Sequence, residues 1–370
     1  MLEIRYSYIK LLQLSQEIFE HFGFSKEDSL TAAQNLLMAD LRGIESHGVA
    51  RLRGYLRLIE QKRINPKATP CIIRENATTA VLDADQSLGL IVAEKAMDIA
   101  IAKAQESGVG MVSVGNSSHF GIAGTYVLKA LTENMIGVSM TNASALVAPT
   151  RGKTRLLGTN PIAVGVPSLS YPSFLADLAT TTAANGKLEI LQRKGQEAPY
   201  NWLQDAEGLP TSNANALKIG GALLPLGGDE LHGSHKGFAL GSIVDIFSGV
   251  FSGANFSAWV PPFPAYVPIP ENPVGKGIGH FFMAMRIDNW EEEQVFLSRM
   301  DQWIESVLNT TPIDPLKPVI VPGMPEHQAY QNNLENGIAL HPIVIEEINE
   351  LLKELDLYDK HHLSSNLQGA

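Results

Sequence analysis

Residues 108–124 read GVGMVSVGNSSHFGIAG. Helical spacing over residues 90–106 precedes this stretch, Gly110-Met-Val-Ser-Val within it has the texture of a strand, and a second helical pattern follows from about Ile122 to Glu133. A Rossmann site needs strand, G-x-G-x-x-G and helix in that order, so that the pyrophosphate meets a helix N-terminus. Gly108 and Gly110 instead leave a helix and enter a strand, which makes them a helix cap. There is no G-x-x-x-x-G-K-[ST] loop either, so a bound nucleotide has to be held by other means.

Strand and helix alternate on both sides of this stretch. Strand patterns fall at Thr79-Ala-Val-Leu-Asp, Ile136-Gly-Val-Ser-Met and residues 162–166 and 280–287, which predicts an α/β (α+β) domain over residues 73–289. Three helices come before it, over about 6–20, from the capping box Ser25-Lys-Glu-Asp28 to Leu41, and from Ser46 or His47 to Gln61. Helical spacing returns at 298–308 and 342–355. Both chain ends are therefore expected to build one mainly helical, substrate-side domain, 1–72 with 290–358, and residues 359–370 are expected to be a flexible tail. The prolines of Trp259-Val-Pro-Pro-Phe-Pro-Ala-Tyr-Val-Pro-Ile-Pro cannot donate to a ladder, so this run reads as an extended surface crossover or lid.

The chain has 370 residues, enough for two or three packed units, and 39 acidic against 28 basic residues leave it at −11. That field repels phosphate backbones, so no nucleic acid is expected, and anions can bind only where local cations or N–H groups overcome it. Cys71 is the only cysteine, which excludes an internal disulfide and fits a cytoplasmic protein. Residues 237–256 (GFALGSIVDIFSGVFSGANF) are long enough to span a bilayer and carry the pairs Gly237/Gly241 and Gly249/Gly253. Asp245 stands in their middle, where a carboxylate costs about 3 kcal/mol on insertion. The segment therefore reads as a helix in a soluble core with close small-residue contacts.

His47, Arg51 and Tyr55 recur at i, i+4 and i+8, which would place them on one helix face. Reducing a keto acid needs a proton donor that titrates near neutrality, which His supplies, and a planar fork for the carboxylate, which Arg supplies. A solvated helix face is the plainer alternative. Asn116-Ser-Ser-His119-Phe-Gly121-Ile-Ala-Gly124 joins a strand to a helix and carries a second imidazole; its glycines admit a ligand, and the N–H groups at the helix start suit an anion. Lys236 and Gly237 open the long apolar segment, a natural seat for phosphate. His232 and His235 lack a third ligand, so no metal is expected.

Five motifs occur in one order: Gly43-Ile-Glu-Ser-His-Gly-Val-Ala-Arg51, Ser118-His-Phe-Gly-Ile-Ala-Gly124, Gly158-Thr-Asn-Pro-Ile-Ala163, Asp177-Leu-Ala-Thr-Thr181 and His235-Lys-Gly237. Together they resemble the malate/L-lactate dehydrogenase family that lacks a Rossmann domain, which includes ureidoglycolate and sulfolactate dehydrogenases, diketogulonate reductase and piperideine-2-carboxylate reductase. The likeness runs from about Leu11 to Leu355 and takes in Pro322-Gly-Met-Pro-Glu326 and Gly337-Ile-Ala-Leu. It implies a homodimer, NAD or NADP in a non-Rossmann sheet domain, and a small 2-oxo or 2-hydroxy acid between that domain and the helical one. By the resemblance His47 or His119 is the acid/base and Arg51 grips the carboxylate, with Ser46, Tyr55 and Thr159 as further substrate contacts. The resemblance also implies that His119, Gly121, Asp177, Leu178, Ala179, Thr181, His235, Lys236, Gly323, Met324 and Pro325 hold the cofactor.

Two places depart from the family pattern. Ala143 falls where a hydroxyl residue is common, and Arg151-Gly152 replaces a glycine pair after Pro149, so that Arg151 would either favour a phosphorylated cofactor or project into solvent. The expected reaction is hydride transfer to C2 of a 2-oxo acid. Reduction of a cyclic imine is the related alternative, and a catalytically silent ligand-binding relative is the alternative of another class, against which the intact histidines argue.

Overall fold

The computed structural model describes residues 4–364. Its centre is a seven-stranded sheet of β1 (Cys71–Glu75), β2 (Thr79–Asp83), β3 (Val109–Ser117), β4 (Met135–Thr141), β5 (Ile162–Val166), β6 (Phe174–Leu178) and β7 (Ile278–Arg286). These lie side by side as β1-β2-β3-β7-β4-β5-β6. Only β2 and β3 run parallel, and every other neighbouring pair is antiparallel. This mixed order differs from the parallel, doubly wound sheet of a Rossmann domain.

The helices are α1 (Tyr8–His21), α2 (Lys26–Leu41), α3 (Leu52–Glu60), α4 (Gly89–Ser107), α5 (Gly124–Thr132), α6 (Asn185–Arg193), α7 (Ser234–Asp245), α8 (Glu293–Leu308), α9 (Met324–Asn336), α10 (Pro342–Glu354) and the single turn α11 (Tyr358–His361). Helices α4 and α5 cover one sheet face, with Ala96, Val127, Val112 and Phe282 in the shared core. Helix α7 and the π turn that extends it, Ile246–Val250, cover the other through Val244 and Phe281. Coverage on both faces explains why β3 is buried almost continuously rather than alternately. Gly108, at φ 83°, caps α4 in the left-handed conformation that glycine adopts without strain. A small three-stranded patch (Leu203–Gln204, Pro210–Thr211, Ala222–Leu223) and α6 enclose a separate core around Leu157, Leu188 and Leu203.

Helices α1–α3 and the chain from Ile338 onward form one helical layer, whereas α8, expected in it, lies against the sheet side, where the Trp303 and Phe174 ring centroids are 5.7 Å apart. Arg5–Tyr6 pairs antiparallel with Ile338–Ala339, Arg53 meets Glu354 at 3.1 Å, and a single apolar core runs from Tyr6 and Leu56 to Ile338, Leu352 and Leu363. Ser25 Oγ accepts the N–H of Asp28 at 3.0 Å, the expected cap of α2.

Four segments differ from expectation or refine it. In place of one helix from Ser46 to Gln61 there are two 3-10 turns, Glu45–His47 and Val49–Arg51, and α3 begins only at Leu52. The break is at Gly48: a Cβ there would lie 2.0 Å from Asp40 Oδ1, and Asp40 Oδ2 accepts the N–H of Val49 at 2.8 Å. His47, Arg51 and Tyr55 therefore do not share one continuous helix face. The apolar segment 237–256 is divided between α7, the π turn and a loop, and no helix among the described residues is long and apolar enough to cross a membrane. Its glycines make close contacts, since a Cβ on Gly237 would lie 2.3 Å from the Leu226 backbone, and Asp245 accepts bonds from Asn142 Nδ2 (3.0 Å) and the Ser257 N–H (2.8 Å).

The proline run folds back onto the helical layer, as described below. Of the expected tail, residues 365–370 lie outside the described residues, whereas within 359–364 His361 and Leu363 are buried. Asn349 accepts the Leu363 N–H and donates to its carbonyl, both at 2.8 Å.

Candidate active site

The seam between the helical layer and the sheet gathers side chains from three distant segments. His119 stands on the loop after β3, with Nδ1 2.7 Å from Tyr55 Oη and accepting the Gly121 N–H at 3.3 Å. Gly121 turns the loop at φ 80°. Gly89, the first residue of α4, backs the loop closely, and its N–H donates to Ser118 Oγ at 3.0 Å. The His47 ring stacks on that of His119, with centroids 5.8 Å apart and planes at 21°. Ser46 Oγ is 2.8 Å from His47 Nδ1, and the Ser46 carbonyl accepts Arg51 Nε at 2.6 Å. That single bond aims the guanidinium and leaves its two terminal nitrogens without a partner among the described residues. The Nε2 atoms of both histidines are likewise unbonded.

Burial, more than the neighbouring charges, favours the neutral form of both rings. Removal from water, then the Arg51 charge, hold His47 down at about 4. His119 is held well below the usual histidine range, first by desolvation and then by His47, Arg51 and His280. Desolvation also pushes the Tyr55 hydroxyl up, so it stays protonated. Neutral imidazoles accept protons, and an anion placed against Arg51 would offset that cation and make both rings better bases.

Sequence reading missed Phe263, which comes from the proline run. Its ring lies 4.7 Å from the His119 ring and 5.1 Å from that of Tyr55, and Arg51 Cζ is 6.0 Å from its centroid. The run thus puts one aromatic side chain over His119, Tyr55 and Arg51. Beneath it lies a cavity of about 480 Å³ whose walls include Ser118, His119, Phe263, Lys62, Arg63 and Lys276.

A second cavity, of about 340 Å³, is lined by Arg42, Ile44, Asp177, Leu178, Gly323 and Pro325 among others. Four of the residues expected around a cofactor thus come together, with Met324 opening α9 beside them. Arg42, which spacing did not single out, is 7 % exposed, and burial holds its guanidinium below the ordinary range. Asp177 Oδ2 accepts the Gly124 N–H at 2.7 Å, so this donor at the start of α5, expected to be open to a bound anion, is taken by the protein's own carboxylate. Ile44 places this cavity three residues from His47 in sequence.

The remaining expected contacts lie elsewhere. The Thr159 carbonyl accepts the Thr180 N–H at 2.9 Å, and Thr181 Oγ1 donates to the Ala183 carbonyl at 2.8 Å. Ala179 lies between Leu178 and Thr180 and lines neither cavity, and the same holds for His235 and Lys236, which are exposed on the first turn of α7. His232 Nδ1 is 2.7 Å from Asp229. Ala143 offers its N–H to Asn160 Oδ1 at 3.0 Å, and Arg151 projects to the surface, where Glu230 accepts its Nε at 3.0 Å.

Two neutral imidazoles beside an open guanidinium fork equip an enzyme for acid–base chemistry on a small acid. The family described as malate/L-lactate dehydrogenase matches residues 6–349, and the chain belongs to it. It is 41% identical over 347 residues to a malate dehydrogenase of Pyrococcus abyssi, covering 94% of this chain and 93% of that one. It is 34% identical over 346 residues to an L-sulfolactate dehydrogenase of Methanothermobacter thermautotrophicus, covering 94% and 96%. The solved malate dehydrogenase of Pyrococcus horikoshii OT3 matches with a TM-score of 0.86 at 37% identity, over 95% of this chain and 96% of that one. The chain is an oxidoreductase of this family, a dehydrogenase of the 2-hydroxy acid class.

Proposed function

We propose that this protein interconverts a 2-oxo acid and its 2-hydroxy acid, with Arg51 holding the carboxylate and His119 moving the proton on the C2 oxygen. What carries the reading is the juxtaposition at one seam of an unbonded His119 Nε2 and an unpartnered guanidinium fork. Tyr55 and Gly121 fix the His119 ring from Nδ1 and so leave Nε2 for substrate. In the oxidising direction Nε2 takes the hydroxyl proton in the tautomer whose Nδ1–H donates to Tyr55 Oη instead of accepting the Gly121 N–H. In the reducing direction the bound carboxylate, opposing Arg51, raises the affinity of the ring for the proton it then delivers. Phe263, packed against His119 and Tyr55, narrows the access of water to the pair.

For NAD or NADP the second cavity offers Arg42 as a phosphate partner and the carboxylates of Asp177 and Glu326 as acceptors for ribose hydroxyls, so only the part of a dinucleotide beside Arg42 meets a cation. When bound, the nicotinamide supplies or accepts the hydride at C2. Of His47, Arg51, Tyr55 and His119 only His119 is on the wall of the first cavity, which carries three cations, Lys62, Arg63 and Lys276, against one carboxylate, Asp85. In a chain of net charge −11 that balance favours an acid with a second anionic group, as in malate. A homodimer is supported by an apolar stripe along α7 and its π turn: Leu240, Ile243, Ile246, Val250 and Phe251 are 38%, 43%, 45%, 51% and 54% exposed.

The test is NADH and NADPH oxidation by the purified protein with pyruvate, oxaloacetate, sulfopyruvate, a diketo sugar acid and a cyclic imino acid. Turnover should be fastest with oxaloacetate. Silence with every substrate would remove the reading, and turnover of the imine alone would replace it with imine reduction.

A further inference from the structure

His280 is 0 % exposed and sits near the start of β7, the strand that separates β3 from β4. Its Nε2 is 2.8 Å from Ser117 Oγ, at the end of β3, and its Nδ1 is 2.7 Å from Thr141 Oγ1, at the end of β4. The Phe120 ring stacks on its face, 4.8 Å away with planes at 13°. One imidazole therefore holds residues on both sides of His119. Through Thr141, whose hydroxyl also reaches the Asn142 and Gly279 carbonyls at 3.1 Å, it holds the loop after β4 as well. A β-bulge between Ile278 and His280 turns the strand at this point.

The surroundings are otherwise those of an apolar core, with Phe120 and Phe282 both buried beside the ring. A polar ring there costs desolvation that a leucine would not. Burial pulls its titration down to about 3, which favours the neutral ring. Both nitrogens are satisfied, so its contribution is geometric.

We propose that His280 is a positioning residue that ties the His119 loop to the loop after β4 and so sets the His119 ring against Tyr55 and Gly121. The proposal rests on the reading that His119 moves the proton. Small displacements of a reacting group lower rates steeply, on the order of 100-fold for about 1 Å.

The test is His280→Leu, with folding checked by circular dichroism and thermal melting. In the folded variant kcat should fall at least about tenfold, with the KM for the oxo acid changing less than about threefold. The solvent deuterium isotope effect on kcat should rise as proton transfer becomes limiting, which a loss of packing alone would not produce. In 15N-histidine NMR spectra the His119 signal should shift. A folded variant with wild-type kcat and an unmoved His119 signal would overturn the proposal. Should His280→Leu not fold, Ser117→Ala and Thr141→Val each remove one hydroxyl and are read in the same way. If the wild-type protein reduces no 2-oxo acid, the functional reading fails separately, and the NMR shift still decides the positioning role.

Discussion

The Phe263 ring occupies the space that a methyl group on Gly54 would take: a Cβ there would lie 2.8 Å from two of its carbons. A helix glycine and a proline-flanked aromatic more than 200 residues later are thus matched, and the match seats the ring against His119 and Tyr55. Gly54→Ala should favour α3 by up to about 1 kcal/mol on helix propensity, yet displace the ring. The expected result is an unchanged or higher melting temperature with a several-fold rise in KM for the oxo acid. Unchanged steady-state kinetics would show that Phe263 is no part of the site.

The acid–base pair makes a prediction about pH. With His47 at about 4 and His119 also depressed, the free enzyme keeps its base unprotonated well below pH 6.5. In the oxidising direction kcat/KM, which reports the free enzyme, should stay level from pH 8 to well below 6.5. His119→Asn should lower kcat by about 100-fold or more, His47→Asn should do much less, and Arg51→Lys, which loses the fork, should act mainly on KM. An acid limb near pH 6.5 would contradict the depressed rings. A larger kcat loss in His47→Asn would move the proton to that residue.

Asp40 predicts a stability effect of definite sign. Burial raises its carboxyl from 3.8 to about 7, with the Val49 N–H pulling the other way. The folded state therefore binds the proton more tightly than the unfolded one, so this contribution is full below pH 3.8 and is lost as pH rises through 7. Asp40→Asn keeps an acceptor for Val49 and removes the titration. Its melting temperature relative to the wild type should be more favourable at pH 8 than at pH 5. An equal difference at the two pH values would mean that Asp40 is already ionised at pH 5.

The exposed stripe on α7 and its π turn predicts an assembly. Phe251→Asp and Ile246→Asp place a charge where two apolar faces would meet, and light scattering should show the dimer giving way to monomer at micromolar concentration. Dimers that survive both substitutions would place the interface elsewhere.

The fold was legible where hydrophobic period and punctuation agree. Residues 162–166, the Ser25 cap and the Gly108 cap all appear as their sequences imply. Strand β1 was invisible because all five of its residues are exposed and nothing alternates, and α9 has no buried residue to set a period. The period through Ser46 to Gln61 misled because the helix is interrupted by a contact between Gly48 and Asp40 that no local pattern reveals. In the site, His47, Arg51, Tyr55 and His119 were readable from motifs, and the structure brings them together. Phe263 and Arg42 were not, since each matters only through partners distant in sequence: Tyr55 and His119 for one, the cavity wall of Asp177 and Gly323 for the other.

The shared core of the two chain ends sets an order of construction. All seven strands of the central sheet lie within residues 71–286, so the sheet has its full complement before the last stretch is translated. The layer bearing His47 and Arg51 still lacks Ile338, Leu352 and Leu363 at that moment. As the chain leaves the ribosome the sheet half can form first, and the layer that sets His47 and Arg51 beside His119 waits for residues 338–363.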